Sequence, residues 1–173
     1  MGNRIPSIAL EVRTEWLETF CRSRQVRMRV ADQSPHPLGR TMADELSIQL
    51  LLVEDDHLLR LDAEELLTEN GFEVTSFASA EEAIAELDAN AAQFSGVITD
   101  IRLGKGGTGW QVGQHARQCV SSIPIVYVTA DSAAEWTSHG VPNSVLIQKP
   151  FVPAQLIAAI SGLLNDASMA NAV

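Results

Sequence analysis

A run of four apolar residues ending at Val53 leads directly into three acidic residues, Glu54, Asp55 and Asp56. An apolar run without polar alternation is typical of a strand that is buried on both faces of a parallel sheet. We therefore predict a strand over residues 48–53. Open sheets of this kind bind their ligands at the carboxyl ends of the strands, which is where the acidic residues lie.

Segments with helical periodicity alternate with short apolar runs along the chain that follows. Further strands are predicted at about 73–77, 95–99, 123–128 and 144–148, and helices at about 56–70, 79–91, 110–120, 131–138 and 152–164. Parallel strands joined by helical crossovers form a sheet that is covered on both faces. The pattern predicts an α/β fold with a doubly wound, five-stranded parallel sheet.

Local signals support the predicted helix boundaries. In the first helix, Leu59, Ala63, Leu66 and Leu67 share one face, and Asn70-Gly71 is a typical stop. Ser79 and Glu82 have the spacing of a capping box at the start of the second helix. Asp56 is expected to cap the first helix, but one helix needs one cap, so Glu54 and Asp55 call for another explanation.

Residues 1–46 differ from the rest of the chain. Apolar residues at four-residue steps predict a helix over about 7–22, and an arginine-rich segment and a proline-containing linker follow it. Two interpretations stay open: an arm that binds an acidic partner or nucleic acid, and a weakly ordered or partly helical extension without a dedicated function. Whether translation starts at Met42 is also open. Residues 47–165 form the predicted domain, and 166–173 a short tail.

Charge is unevenly distributed along the 173 residues. Residues 1–40 contain seven arginines and four acidic residues, whereas residues 41–173 contain five basic and eighteen acidic residues. The excess of acidic residues over 41–173 argues against direct binding of nucleic acid. Cys21, Cys119 and the four histidines show no metal-ligand spacing that we recognise, which favours a reduced, cytoplasmic protein. No apolar run approaches the length of a membrane span, and the N-terminal residues lack the short apolar stretch expected of a secretory signal.

Charged or hydroxylic residues follow four of the five predicted strands. Glu54 and Asp55 end the first, Asp100 the third, Thr129 the fourth and Lys149 the fifth. Because parallel strands have their carboxyl ends at one edge, these side chains are expected to converge in one crevice. Carboxylates close together repel one another, and a hard, oxygen-seeking ion such as Mg²⁺ would relieve that repulsion.

With these residues in place, the chain resembles the receiver domain of bacterial two-component response regulators over residues 47–165. Four segments carry the resemblance, in this order: 51–56 (LLVEDD), 98–102 (ITDIR), 126–130 (VYVTA) and 148–151 (QKPF). The resemblance implies a flavodoxin-like fold of the receiver type. It also implies that Asp100 is the phospho-acceptor, which takes a phosphoryl group from a phosphohistidine of a sensor kinase.

The resemblance further implies a role for each neighbouring residue. Asp55 and Asp100 would bind Mg²⁺ directly, Glu54 would bind it through water, and the backbone carbonyl of Arg102 would complete the protein ligands. Thr129 would hydrogen-bond the phosphoryl group. Two further implied features are an ion pair of Lys149 with Asp100 and then with the phosphoryl group, and a cis peptide bond ahead of Pro150.

Three features depart from the family pattern. Leu146 stands where many receivers have a switching Tyr or Phe. The loop over 104–109 is rich in glycine and lacks the usual proline, and the segment 136–143 replaces the usual Gly-Ala pair. The conformation of that loop and the output face are therefore expected to be unusual.

The expected function is that of a single-domain response regulator, a phosphorylation switch without external substrate and so not an enzyme in the usual sense. Its expected partners are a sensor histidine kinase, a histidine phosphotransfer protein, or both, and a downstream protein. Neither nucleic acid nor membrane is an expected direct partner, and the sequence leaves open whether the protein forms a homodimer. The alternatives are a small Mg²⁺-dependent phosphatase and an unphosphorylated binding module. A phosphatase of this kind usually has a second Asp two residues after its nucleophile, where this chain has Arg102.

Overall fold

The apolar run ahead of the acidic residues forms the central strand of a parallel sheet. Leu50, Leu51, Leu52 and Val53 are each at most 2% exposed. Leu50 and Leu52 pack into one core cluster, while Leu51 and Val53 pack into another on the opposite face. Because this strand is buried on both faces, every position is apolar, which explains the unbroken run.

The computed structural model describes residues 47–104, 106–131 and 133–170. Its strands are β1 (Ile48–Val53), β2 (Phe72–Phe77), β3 (Gly96–Asp100), β4 (Ile125–Thr129) and β5 (Val145–Gln148). Its α-helices are α1 (His57–Glu69), α2 (Ala80–Asn90), α3 (Gly109–Cys119), α4 (Trp136–His139) and α5 (Pro153–Ala170). Short 3₁₀ turns over Ala91–Gln93 and Ala133–Glu135 follow α2 and precede α4.

The five strands are parallel and lie in the order β2-β1-β3-β4-β5. The predicted doubly wound α/β fold is therefore confirmed. Connections run outward from β1 to β2 and then cross back to β3, so the strand order reverses between β1 and β3. Open sheets place their ligand crevice at such a reversal point, outside the carboxyl ends of the strands.

Two apolar layers hold the helices against the sheet. On one face, α1 and α5 contribute Leu67, Leu156 and Ile160, all at most 1% exposed. On the other face, α2 and α3 contribute Leu87 and Val112, which are equally buried. The helices α2 and α3 are therefore neighbours on the same side of the sheet.

Capping groups position the helices that follow β1. The side chain of Asp56 accepts hydrogen bonds from the N–H groups of Leu58 and Leu59 at 2.9 and 3.1 Å, as expected of an N-cap. Helix α1 ends ahead of Gly71, whose φ of +86° favours glycine. The cap thus accounts for Asp56 and leaves Glu54 and Asp55 without a role in the helix.

The capping boxes differ from the prediction. Ser79 does accept from the N–H of Glu82, but the Glu82 carboxylate accepts from the N–H of Ala78 rather than from that of Ser79. A reciprocal box forms instead at the start of α3, between Thr108 and Gln111. It ends the glycine-rich loop that follows Asp100.

Three helices differ from their predicted extents or burial. Leu59 on α1 is 45% exposed and so lies outside the core that the periodicity predicted. The fourth helix is a 3₁₀ turn followed by a single α-helical turn, Trp136–His139. Helix α5 ends at Ala170 rather than at 164, because no glycine or proline interrupts residues 165–170. Most of the predicted tail is therefore helical.

The predicted helix over 7–22 and the arginine-rich segment after it lie outside the described residues. Among the helices of residues 47–170 that are described, not one combines the length and the apolar character needed to cross a membrane.

Two glycines in helices provide a matched test of the packing. A Cβ at Gly113 of α3 would overlap the hydroxyl end of Tyr127. Tyr127 is fully buried and packs against Trp110 with ring centroids 4.6 Å apart and ring planes tilted by 54°. A Cβ at Gly162 of α5 would meet nothing within 4 Å. We predict that Gly113→Ala lowers the free energy of unfolding by about 1–3 kcal/mol through overpacking. Gly162→Ala is expected to raise it by about 0.5–1 kcal/mol.

Equilibrium urea unfolding measures both changes. A Gly113→Ala variant as stable as the wild type would contradict this account of how α3 packs on β4.

Candidate functional site

The functional side chains named from the sequence meet at the carboxyl edge of the sheet. Strand β1 leads into Glu54 and Asp55, β3 ends at Asp100, β4 ends at Thr129, and β5 leads into Lys149. Their proximity follows from the parallel pairing, since β1, β3, β4 and β5 are consecutive neighbours. The crevice predicted from the strand ends is thus present in the structure.

One ammonium group bridges two carboxylates that belong to different strands. Lys149 Nζ donates to Glu54 Oε2 at 2.7 Å and to Asp100 Oδ2 at 2.6 Å. Glu54 is 7% and Asp100 9% exposed, so both carboxylates are largely removed from water. Charge-assisted hydrogen bonds of this length are among the stronger interactions in a protein. Lys149 therefore connects β1, β3 and β5 across the crevice.

The carboxylates outnumber the cation that neutralises them. One oxygen from each of Glu54, Asp55 and Asp100 lies within 4.8 Å of the other two. Asp55 is exposed, whereas Glu54 and Asp100 are buried. Three carboxylates share one ammonium, so two negative charges stay uncompensated within this cluster. A set of hard oxygen donors with excess negative charge fits Mg²⁺.

The pKa values respond to this crowding. Burial raises the pKa of Glu54 above its ordinary value, the hydrogen bond from Lys149 opposes the rise, and the charge of Asp100 adds to it. Burial acts to lower the pKa of Lys149, but hydrogen bonds to Asp100 and Glu54 outweigh it and leave the pKa above its ordinary value. Lys149 is therefore held in its charged form. Burial and the charge of Asp100 disfavour the charged form of Glu54, and a second cation bound nearby would stabilise it.

The backbone and side chain of Arg102 serve different contacts. Its N–H donates to Asp100 Oδ1 at 3.0 Å, which fixes the second oxygen of that carboxylate. Its guanidinium pairs with Asp131 at 2.8 Å on the exposed side of the crevice. The role predicted for Arg102 concerns its backbone carbonyl, and the observed ion pair of its side chain is with Asp131.

The glycine-rich loop lets backbone approach the carboxylates closely. Gly104 has a φ of +61°, and a Cβ there would lie 3.0 Å from Asp55 Oδ2. A Cβ at Gly109, the first residue of α3, would overlap the backbone carbonyl of Asp100. An antiparallel bridge between Arg102 and Thr108 closes the loop. Glycine is thus required where the loop passes next to the cluster, even without the usual proline.

Thr129 lies buried at the end of β4, beside the lysine. Its hydroxyl accepts from the N–H of Asp131 at 3.3 Å, and its carbonyl accepts from the N–H of Lys149 at 2.7 Å. The peptide bond between Lys149 and Pro150 is cis. The Thr129 hydroxyl is therefore bonded to the loop that begins at Asp131, and the Thr129 carbonyl is bonded to the backbone of Lys149.

An aromatic pair lies next to the position that lacks the usual aromatic residue. Leu146 is partly buried and pairs in register with Tyr127 of β4. Tyr127 and Trp110 pack against each other, with tilted ring planes, within the same core cluster. Trp110 also approaches the ring of His139 on α4, with centroids 6.1 Å apart. The bulky aromatic side chains of this face come from β4 and α3, which the sequence analysis did not anticipate.

An apolar cavity of about 430 Å³ opens beside the carboxylate cluster, between α1 and α5. Leu59, Leu66, Phe151 and Leu156 contribute to its walls, and Asp100 lies at its margin. Two further apolar residues of α1, Leu58 and Leu61, are exposed. The cavity thus adjoins the carboxylate cluster, because Glu54, Asp100 and Lys149 are among its lining residues.

A second group of possible metal ligands was not identified from the sequence. Asp88 on α2 approaches His115 and Cys119 on α3, with one ligand atom of each within 4.8 Å of the others. The prediction from the sequence, that the histidines and cysteines lack ligand spacing, did not consider this pair on α3. Residues four apart on a helix share a face, so the spacing of His115 and Cys119 was the available signal.

Lys149 provides the test of the electrostatics. We predict that Lys149→Met lowers the free energy of unfolding at neutral pH without Mg²⁺ by about 3 kcal/mol, because two nearly buried carboxylates lose the cation that bridges them. Adding Mg²⁺ is expected to recover part of the loss. Arg102→Met removes an exposed ion pair and is expected to cost less than about 1 kcal/mol. Equal losses for the two variants in urea unfolding would contradict the central role of Lys149.

With the site defined, comparison with known proteins identifies the family. The family model of the response regulator receiver domain matches residues 50–161. The structure of a response regulator receiver protein from Sinorhizobium medicae is 45% identical with a TM-score of 0.68, and the match covers 70% of this chain and 97% of that one. Chemotaxis protein CheY4 of Vibrio cholerae is 25% identical with a TM-score of 0.60, and the match covers 68% and 99%.

A curated relative extends the comparison. The phyllosphere-induced regulator PhyR of Methylorubrum extorquens is 26% identical over 126 residues, which cover 73% of this chain and 47% of PhyR. The chain thus spans about half the length of that relative. The family model covers well over half of the chain, and the carboxylate cluster is of the kind in which receiver domains typically bind Mg²⁺. The chain therefore belongs to the response regulator receiver domain family.

Proposed function

We propose that this protein accepts a phosphoryl group on Asp100 from a phosphohistidine of a sensor kinase or a histidine phosphotransfer protein. The contact that carries the proposal is the bridge of Lys149 Nζ between Glu54 and Asp100, beside an uncompensated carboxylate cluster. In the reaction a carboxylate oxygen of Asp100 forms a bond to phosphorus, the bond from phosphorus to the histidine nitrogen breaks, and that nitrogen leaves with the bonding electron pair.

Positioning and charge neutralisation account for most of the catalysis in such a transfer. The N–H of Arg102 and the ammonium of Lys149 fix one oxygen each of the Asp100 carboxylate. The attacking carboxylate is thus held in one orientation before a donor arrives. Mg²⁺, held by Asp55, Asp100, the carbonyl of Arg102 and, through water, Glu54, would supply the further positive charge that the phosphoryl oxygens need.

The same contacts would change when Asp100 is phosphorylated, and the change would signal that the phosphoryl group is present. The new group adds close to two negative charges, and Lys149 moves its hydrogen bond from Asp100 to a phosphoryl oxygen. The Thr129 hydroxyl exchanges its contact with the N–H of Asp131 for one with the phosphoryl group. That exchange releases the loop that begins at Asp131, and so alters the surface around α4 and β5.

A downstream protein that binds this surface would receive the signal. Leu146 supplies no swinging aromatic ring, so the loop after Thr129 carries the change. The pair of Trp110 and Tyr127 lies beneath α4 and connects it to the sheet. Output through protein contact, or through onward transfer of the phosphoryl group, is the function that this geometry supports best.

The donor protein is proposed to dock on α1. A donor histidine has to reach Asp100, so its protein must cover the rim of the crevice. Helix α1, whose Leu59 and Leu66 line the apolar cavity, carries Leu58 at 70% and Leu61 at 46% exposure, three residues apart on the helix. Val152, just ahead of α5, is 61% exposed. Adjacent exposed apolar side chains are typical of a protein interaction surface.

Asp100→Asn tests the acceptor. We predict that the variant folds with an unchanged circular dichroism spectrum and loses labelling by acetyl phosphate in the presence of Mg²⁺. Chelating Mg²⁺ is expected to abolish labelling of the wild type. Asp56→Asn is the matched control, since that exposed carboxylate only caps α1.

Phosphoryl transfer to another residue of Asp100→Asn, detected by mass spectrometry of the intact protein, would refute the assignment. Steady release of phosphate from small phosphoesters by the wild type would instead favour the phosphatase alternative.

Leu58→Glu tests the docking surface separately from the chemistry. The variant is expected to be labelled by acetyl phosphate at the wild-type rate, because a small donor needs no docking. Labelling by a histidine kinase that phosphorylates the wild type is expected to fall by about tenfold, as for loss of an interface contact worth about 1.4 kcal/mol. Met169→Glu on the far end of α5 is the control, since Met169 is equally exposed at 70%.

A further inference from the structure

The residues Asp88, His115 and Cys119 form a compact group on the face of the sheet covered by α2 and α3. A carboxylate oxygen, a ring nitrogen and the sulfur lie within 4.8 Å of one another. His115 Nε2 and Asp88 Oδ1 are 2.8 Å apart. These three groups have no part in the chemistry proposed for Asp100.

The helices hold this group in a fixed arrangement. His115 and Cys119 are four residues apart on α3, so their side chains lie one above the other on the same helix face. Asp88 is near the end of α2, which packs directly beside α3 against the same core cluster. Two donors from one helix and a third from its neighbour need no loop to become ordered before an ion binds.

The kinds of donor atom select the ion. Thiolate, imidazole and carboxylate are the three side-chain ligands of Zn²⁺, whereas Mg²⁺ and Ca²⁺ prefer oxygen alone. The His115 side chain is 13% exposed and that of Asp88 41%, so the group is shielded on one side and open to solvent on the other. An ion therefore has a route in from solvent, and water has access to a fourth coordination position.

The location favours a cation and separates it from the carboxylate cluster. Cys119 is the last residue of α3, and Asp88 lies in the last turn of α2. The carbonyl ends of helices attract positive charge. Because helices that connect parallel strands run back along the sheet, these ends lie at the amino edge, opposite Asp100.

We propose that Asp88, His115 and Cys119 form a three-ligand site for Zn²⁺ with water as the fourth ligand. On binding, Cys119 releases its thiol proton to solvent, and the ion takes the place of any proton between His115 and Asp88. Two ligands at about 2.0 Å in tetrahedral geometry are about 3.3 Å apart. The present separation of 2.8 Å therefore opens by about 0.5 Å, which a side-chain rotation provides.

The experiment uses Co²⁺, a spectroscopic substitute for Zn²⁺, added to the full chain. The buffer contains a non-chelating reductant, and excess Mg²⁺ to compete for the carboxylate cluster. One equivalent of Co²⁺ is expected to produce a near-ultraviolet charge-transfer band from thiolate to cobalt and visible bands of four-coordinate cobalt. Zn²⁺ is then expected to displace the cobalt and abolish both.

Variants assign the bands to these residues. Cys119→Ser is expected to abolish the charge-transfer band, and Cys21→Ser is the matched control that retains it, since the chain has two cysteines. Asp88→Asn and His115→Ala are expected to weaken Co²⁺ binding by at least tenfold. Circular dichroism identifies any variant that fails to fold, and Zn²⁺ protection of the Cys119 thiol against alkylation provides a readout on the wild type alone.

Absence of a charge-transfer band from the folded wild type at saturating Co²⁺ would overturn the proposal. So would a band that survives Cys119→Ser, or alkylation of Cys119 at the same rate with and without Zn²⁺.

Discussion

The ammonium group of Lys149 is the contact on which the rest of the site depends. Two carboxylates about 4 Å apart repel each other by roughly 4 kcal/mol at an effective dielectric constant near 20. Glu54 and Asp100 are nearly buried and both bond to this one cation. Lys149 stabilises the pair without neutralising Asp55 as well, and the excess charge leaves the site ready for a second cation. The same lysine is therefore a structural bridge and, in the proposed function, also the group that would respond to a phosphoryl group on Asp100.

The parallel sheet brings Lys149 close to Glu54 and Asp100. Lys149 and Glu54 are 95 residues apart in the sequence, yet both follow directly after a strand, β5 and β1. Parallel pairing aligns the strand ends, and the reversal of strand order between β1 and β3 opens the crevice there. Buried apolar strands thus provide a rigid support, and the residues just after them are free to carry the chemistry.

The fold and the residues of the crevice could be predicted from the sequence, because both depend on local patterns. Unbroken apolar runs predict buried parallel strands, and the polar residue after each run then has a known position. Leu59 was misjudged because periodicity identifies a helix face but not how far the neighbouring helix α5 covers it. The proximity of Asp88 to His115 depends on how α2 packs beside α3, and the contact of Tyr127 with Trp110 on how α3 packs on β4. Such contacts between elements have no local signal.

A crystal structure of the protein grown with Mg²⁺ and beryllofluoride, a mimic of an acyl phosphate, tests the central claim most directly. We predict beryllium bonded to a carboxylate oxygen of Asp100, Mg²⁺ bound by Asp55 and Asp100, and Lys149 Nζ moved from Asp100 to a fluoride. Thr129 is expected to donate to a second fluoride. An unmodified Asp100, or a Lys149 that keeps both carboxylate contacts while the beryllofluoride binds elsewhere, would contradict the account.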